Sequence, residues 1–311
     1  MALDRLIEKI ADLQNPTVAG LDPKLDYVPN SIKKKAFAQY GETLEGAAAA
    51  LLEFNQGLID ALCTIVPAVK PQCAYYEMYG WPGVRALHDT IRYAKEKGMF
   101  VITDGKRNDI GTTMQAYAAA HLGSVQVGGT RCVPFGGDAL TVNPYLGSDG
   151  INPLLDICKE EDKGMFVLVK TSNPSSGELQ NQIFEQRSTL YGTVGRLCEE
   201  WGQNLQGKHG YSGVGAVVGA TYPEQLAELR GALPHTFFLV PGYGAQGGGA
   251  KDVAPAFDSN GLGAVINASR SILCAWQKTN APESDYAKAA AQEAVRMRDE
   301  IVREIGKITL G

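Results

Sequence analysis

The chain has 311 residues, 44% hydrophobic and 20% charged, which suits a soluble globular protein with a substantial core, built as one large domain or two ordinary ones. Its net charge of -5 argues against a general nucleic-acid binder, which needs a basic footprint, and no apolar run approaches the length of a membrane span. The six cysteines are scattered, with no CxxC and no Cys/His pair at ligand spacing, so a reduced, cytoplasmic protein is expected.

In chain order, "MALDRLIEKIADLQ" reads as an amphipathic helix and lacks the apolar run of a signal peptide. A first strand follows at 17–22, "TVAGLD", and then a long connection, 23–50, with a basic run from Lys33 to Lys35. Leu51, Leu58, Leu62 and Ile65 recur at helical spacing and predict a helix over 51–65. Strands are predicted at 68–72 and 100–106, with a helix at 82–98 between them that begins with proline and ends with glycine. Further strands are predicted at 139–145, 164–172, 213–220, 236–244 and 263–270, with helices at 223–231 and 293–305. Most of these strands are nearly continuous hydrophobics, as expected where both faces of a parallel sheet are covered. Eight strand-helix repeats predict a single (β/α)8 TIM barrel over 1–311, with an open doubly wound sheet as the runner-up. The polar stretch 173–190 after the fifth strand is long enough for a lid, and a passive insertion would look the same.

In such a barrel the residues just past each strand converge on one mouth. Those positions hold Asp22, Lys70 with Gln72, Asp104 with Lys106, Asn143, and Thr171 with Ser172. The last two strands run into "GYGAQGGG" (242–249) and "NASRS" (267–271). A glycine run lets backbone N–H groups approach an anion, and Arg270 offers a guanidinium at the neighbouring strand end. Asn267, Ser269 and Ser271 add polar groups, so a phosphate site is expected there.

"FVITDGKRNDIGTT" (100–113) places Asp104, Lys106 and Asp109 beside that mouth, where Lys70 makes a fourth charge of alternating sign. On an exposed loop such a cluster would be a solvated ion-pair surface worth little. At the mouth, each pair at about 4 Å would interact by roughly 4 kcal/mol at an effective dielectric near 20. An array of this kind keeps Lys106 charged and opposes a further anion beside Asp104. That combination suggests loss of a carboxylate as CO2, with Lys106 protonating the carbon left behind. No HExxH, His pair or Cys/His cluster is present, and the four histidines fall outside the strand ends. No metal, flavin or pyridoxal cofactor is therefore expected.

"DGKRNDIGTT" resembles the D-x-K-x-x-D-I-x-x-T signature of the orotidine 5′-phosphate decarboxylases, in particular the longer bacterial subfamily. "GLDP", "VKPQCAYYE", "TVNPYLGSDG", "VKTSNPSS", "VPGYGAQGG" and "NASRSIL" match that family in the same order. The resemblance implies a metal-free, cofactor-free conversion of orotidine 5′-phosphate to UMP and CO2, the last step of de novo pyrimidine biosynthesis. It implies Lys106 as proton donor to C6, Asp104 facing the departing CO2, and Lys70 and Asp22 on the ribose. Ser172 would contact the pyrimidine, and Gln246 and Arg270 the phosphate. Asp109 and Thr113 would reach into the neighbouring subunit's site, making an obligate homodimer with shared sites. Gln72 and Asn143 are expected only as neighbours. The hexulose-phosphate synthases and ketogulonate-phosphate decarboxylases share D-x-K-x-x-D but use magnesium, helped by an acid on the second strand where this chain has Lys70. A catalytically silent phosphate-binding barrel is a third reading, but it would be expected to break the charge array.

Overall fold

The computed structural model describes residues 1–184, 188–244 and 248–310. Eight parallel strands close into a barrel: β1 (Thr17–Leu21), β2 (Ala68–Pro71), β3 (Phe100–Arg107), β6 (Ala139–Val142), β7 (Gly164–Lys170), β8 (Val214–Val218), β9 (Phe238–Val240) and β10 (Ala264–Ala268). Each lies within one of the eight expected strand segments or overruns it by a single residue. The two remaining strands, β4 (Val125–Val127) and β5 (Thr130–Cys132), form an antiparallel hairpin outside the barrel that was not expected. The open doubly wound sheet is excluded by the β1–β10 pairing that closes the ring.

Alternation along each strand divides the core in two. Val18, Ala68, Ile102, Phe166, Val217, Leu239 and Val265 point inward and fill the barrel, while their neighbours Ala19, Val69, Val101, Val167, Val218, Val240 and Ile266 pack outward against the helices. The N-terminal helix Ala2–Leu13 belongs to the inner cluster and places Leu3, Leu6, Ile7 and Ile10 against the inward residues. Each of these side chains is almost fully buried, contributing about 2 kcal/mol on transfer from water. The amphipathic N-terminus is thus a core element.

The 23–50 connection is helical rather than a loop. It holds the helix Asn30–Tyr40 and the first turns of Leu44–Leu62, which starts seven residues before the expected 51. The alanine run Ala47–Ala50 gave no amphipathic stripe, yet alanine is the strongest helix former, and Thr43 caps the N-terminus by accepting from the Gly46 N–H. The basic run is a solvated helix face, with Lys35 paired to Glu53 at 3.0 Å.

Candidate active site

The barrel's mouth holds a cavity of about 420 Å3. Lys70, Asp104, Lys106 and Thr141 form its polar side, and Leu168, Val217, Leu239 and Pro241 its apolar side. One half can therefore take charge, the other a flat apolar ring face.

Asp104 is the centre of the polar side. Its Oδ2 accepts from Lys70 Nζ at 2.5 Å and its Oδ1 from Lys106 Nζ at 2.6 Å. Asp22 Oδ1 stands 4.0 Å from Lys70 Nζ, so the order is Asp22, Lys70, Asp104, Lys106. Lys70 and Asp104 are buried, at 4% and 5% exposure. Burial pushes the Asp104 carboxyl up, but the two flanking ammonium groups overwhelm it and hold the group well below the usual carboxylate range. Burial pulls Lys70 down, and the attraction of Asp104 and Asp22 reverses that, so its pKa lies above the ordinary lysine value. Both buried groups are charged because each has its counter-ion in direct contact.

The backbone that delivers Lys106 is irregular. Thr103 of β3 pairs with Leu140 and Arg107 with Val142, so four steps on β3 face two on β6. Within this bulge Lys106 adopts φ 47, a left-handed conformation that costs a non-glycine residue about 1–3 kcal/mol. Thr141 holds it there: its hydroxyl accepts from the Lys106 N–H at 3.0 Å and donates to Asp104 Oδ1 at 2.8 Å. Thr141 lies one layer below the strand ends, so a reading of strand ends alone missed it. The signal was the alternation along β6, which puts Thr141 on the same inward face as Ala139.

The other expected residues divide. Ser172 lines the rim together with Thr171, Asn173 and Gln180, all from the segment after β7. Asn143 is exposed and its Oδ1 caps its own loop, accepting from the Tyr145 N–H at 3.0 Å. Gln72 likewise turns to its own loop, toward the Ala74 N–H. Asp109 precedes the helix Gly111–His121 and Thr113 lies in its first turn, and neither lines the cavity of its own chain. Within one chain the array runs Asp22, Lys70, Asp104, Lys106, and Asp109 Oδ1 accepts from the Ile110 N–H at 2.7 Å.

Arg270 begins a short helix past β10, the strand that pairs with β9, and is exposed. Gly242 and Gly244 there adopt φ 101 and 72, which only glycine takes readily, and the Gly244 N–H donates to Gly248 O at 2.8 Å. Gln246 lies outside the described residues. Asn267 and Ser269 turn inward, with Asn267 Nδ2 3.4 Å from Ser269 Oγ, over Gly20, where a Cβ would fall 1.9 Å from Ser269 Oγ. The glycine of "GLDP" thus makes room for the last strand. Among the described residues no group of three or more His, Cys, Asp or Glu is placed to hold a metal ion.

A sequence profile of the orotidine 5′-phosphate decarboxylase / HUMPS family matches residues 50–284. The chain belongs to that family. It is 45% identical over 289 residues to the orotidine 5′-phosphate decarboxylase of Rhodopirellula baltica, covering 92% of this chain and 93% of that one. With the enzyme of the same name from Caldicellulosiruptor bescii it shares 41% identity over 298 residues, 96% and 97% of the two chains. The solved structure of the Leishmania donovani OMP decarboxylase superposes with a TM-score of 0.71 at 31% identity, covering 96% of this chain and 99% of that one. Family members of that name are carboxy-lyases, and their match runs through the barrel and both strand-end motifs.

Proposed function

We propose that the chain decarboxylates orotidine 5′-phosphate to UMP and CO2 without a metal ion, closing de novo pyrimidine synthesis. The observation that carries this reading is the Lys70–Asp104–Lys106 ladder on the polar side of the cavity, opposite the apolar wall of Leu168, Val217, Leu239 and Pro241. As the C6–carboxylate bond breaks, its electron pair stays on C6 and CO2 departs past Asp104. Lys106 then donates its proton to C6. Ionised Asp104 opposes a second carboxylate beside it and holds the Lys106 ammonium in place. Lys70 and Asp22 bind the ribose, Ser172 the pyrimidine, and Arg270 with Gln246 the phosphate. Binding energy from the remote phosphate organises the reacting end.

The site is completed by a second copy, with Asp109 and Thr113 donated across a homodimer interface. Ile110, next to Asp109, is 54% exposed, and an exposed apolar side chain at that place suits burial against a second copy. Six free thiols, four of them buried, suit a cytoplasmic setting, and no helix of the described residues is long and apolar enough to cross a membrane. The magnesium-dependent relatives make the competing reading, and buried, charged Lys70 speaks against it because it would repel a divalent cation at that place. Following the absorbance of orotidine 5′-phosphate with purified protein and EDTA tests the proposal. Full turnover in chelator is expected. Activity lost to EDTA and restored by magnesium would transfer the chain to the sugar-phosphate relatives.

A further inference from the structure

Lys170 ends β7 and takes no part in the chemistry above, yet it is among the most deeply buried side chains, at 1% exposure. A register shift between Leu168 and Lys170 turns it away from the cavity, so that it pairs with Val218 and lies between barrel and helices. Its Nζ donates to Ser176 Oγ and to Asn181 Oδ1, each at 3.0 Å. It also stands 4.6 Å from the ring centre of Tyr222 and 5.8 Å from that of Tyr191. A buried ammonium is costly unless its donors are met, and here two donors are spent on one short segment. That segment, 171–184, is the one that supplies Thr171, Ser172, Asn173 and Gln180 to the cavity rim.

We infer that Lys170 is a positioning residue: its ammonium anchors Ser176 and Asn181 from below and so fixes where Ser172 stands in the cavity. The inference rests on the proposed decarboxylase reading for what Ser172 contacts. Two further features fit it. Gln180 clasps Thr171 twice, through its N–H at 2.9 Å and its hydroxyl at 2.7 Å, tying the far end of the segment back to the strand end. Gly219, at the end of the neighbouring strand, leaves space that Ser172 occupies, since a Cβ there would lie 2.8 Å from the serine's own Cβ. The segment is thus seated from three sides, with Lys170 as its only charged anchor among these contacts. Methionine would fill the same volume beside the tyrosines but donate nothing.

The test is Lys170→Met, alone and combined with Ser172→Ala. A KM for orotidine 5′-phosphate raised at least about tenfold is expected, with UMP affinity weakened in parallel and kcat changed less. In the Ser172→Ala background the same substitution is expected to change KM by less than about threefold, because both act through one contact. Wild-type KM in Lys170→Met, or effects that multiply fully in the double variant, would overturn the inference. Should Lys170→Met not fold, Ser176→Ala with Asn181→Ala removes the same bonds from the segment's side and is judged by the same criteria. If the wild-type protein does not turn over orotidine 5′-phosphate, the functional reading fails separately. Amide exchange over 173–184 then decides Lys170: selective acceleration in Lys170→Met supports the anchor, and unchanged exchange refutes it.

Discussion

Asp104 meets two ammonium groups and a hydroxyl, and its charge is therefore a matter of stability as well as chemistry. Because its folded pKa is depressed, its contribution is complete above the unfolded value near 4 and is lost as pH falls below that. Asp104→Asn leaves buried Lys70 with only Asp22 at 4.0 Å, a loss of about 3–5 kcal/mol at neutral pH. Denaturant unfolding of both proteins at pH 7 and pH 3 is expected to show that gap narrowing in acid; a constant gap would deny the carboxylate its charged state. Thr141→Val keeps the shape but leaves the Lys106 N–H and one Asp104 bond unmet, at about 1–3 kcal/mol. Its kcat is expected to fall about ten- to a hundredfold, since each 1.4 kcal/mol is a factor of ten, and steady-state rates check this. The sequence displayed Asp104, Lys106 and Lys70 openly, because charges at the ends of apolar strands are conspicuous. Thr141 was hidden because threonine inside a strand is ordinary until its partners are known.

Among the elements, the strand ends decide the site's shape through what they leave empty. A Cβ at Gly219 would lie within 2.9 Å of Ser172 backbone atoms, and the segment after β7 must move to admit it. Gly219→Ala is expected to raise KM about tenfold while the barrel keeps its unfolding midpoint within a few degrees, because the loop yields more readily than the strand. Equal KM values for the two proteins would mean that Ser172 does not depend on this space. Past β10, Arg270→Ala is expected to weaken UMP about a hundredfold and uridine hardly at all, by calorimetry, since a bidentate guanidinium-phosphate pair is lost from only one of them. Equal losses would remove the phosphate role. The strands were legible because both of their faces are apolar, and the helix Gly80–Glu96 because proline and glycine punctuate it. The hairpin β4–β5 was not, since its six residues are short and mostly exposed and carry no buried pattern to detect.

For the whole molecule, the separation of Asp109 and Thr113 from their own chain's cavity gives a decisive experiment. In the proposed homodimer, the Lys106→Ala and Asp109→Asn variants are each expected to be inactive. Unfolded together and refolded as a mixture, they form hybrids in which one site carries both defects and the other neither. Roughly a quarter of wild-type activity is expected to return, from random pairing of two-fold-related subunits. A mixture as inactive as its components would place Asp109 in the site of its own chain or outside any site.

The barrel, the order of its strands and the charged residues at their ends were determined by the sequence itself. Burial on both faces demands continuous apolar strands, and any charge beside them stands out. The tertiary structure alone decided that Asp22 rather than Asp109 completes the ladder within one chain, that a bulge turns Lys106 onto Asp104, and that Lys170 faces away from the cavity. Each depends on a register between strands far apart in the chain. A shift of one or two residues in pairing redirects a side chain without leaving any mark on local composition.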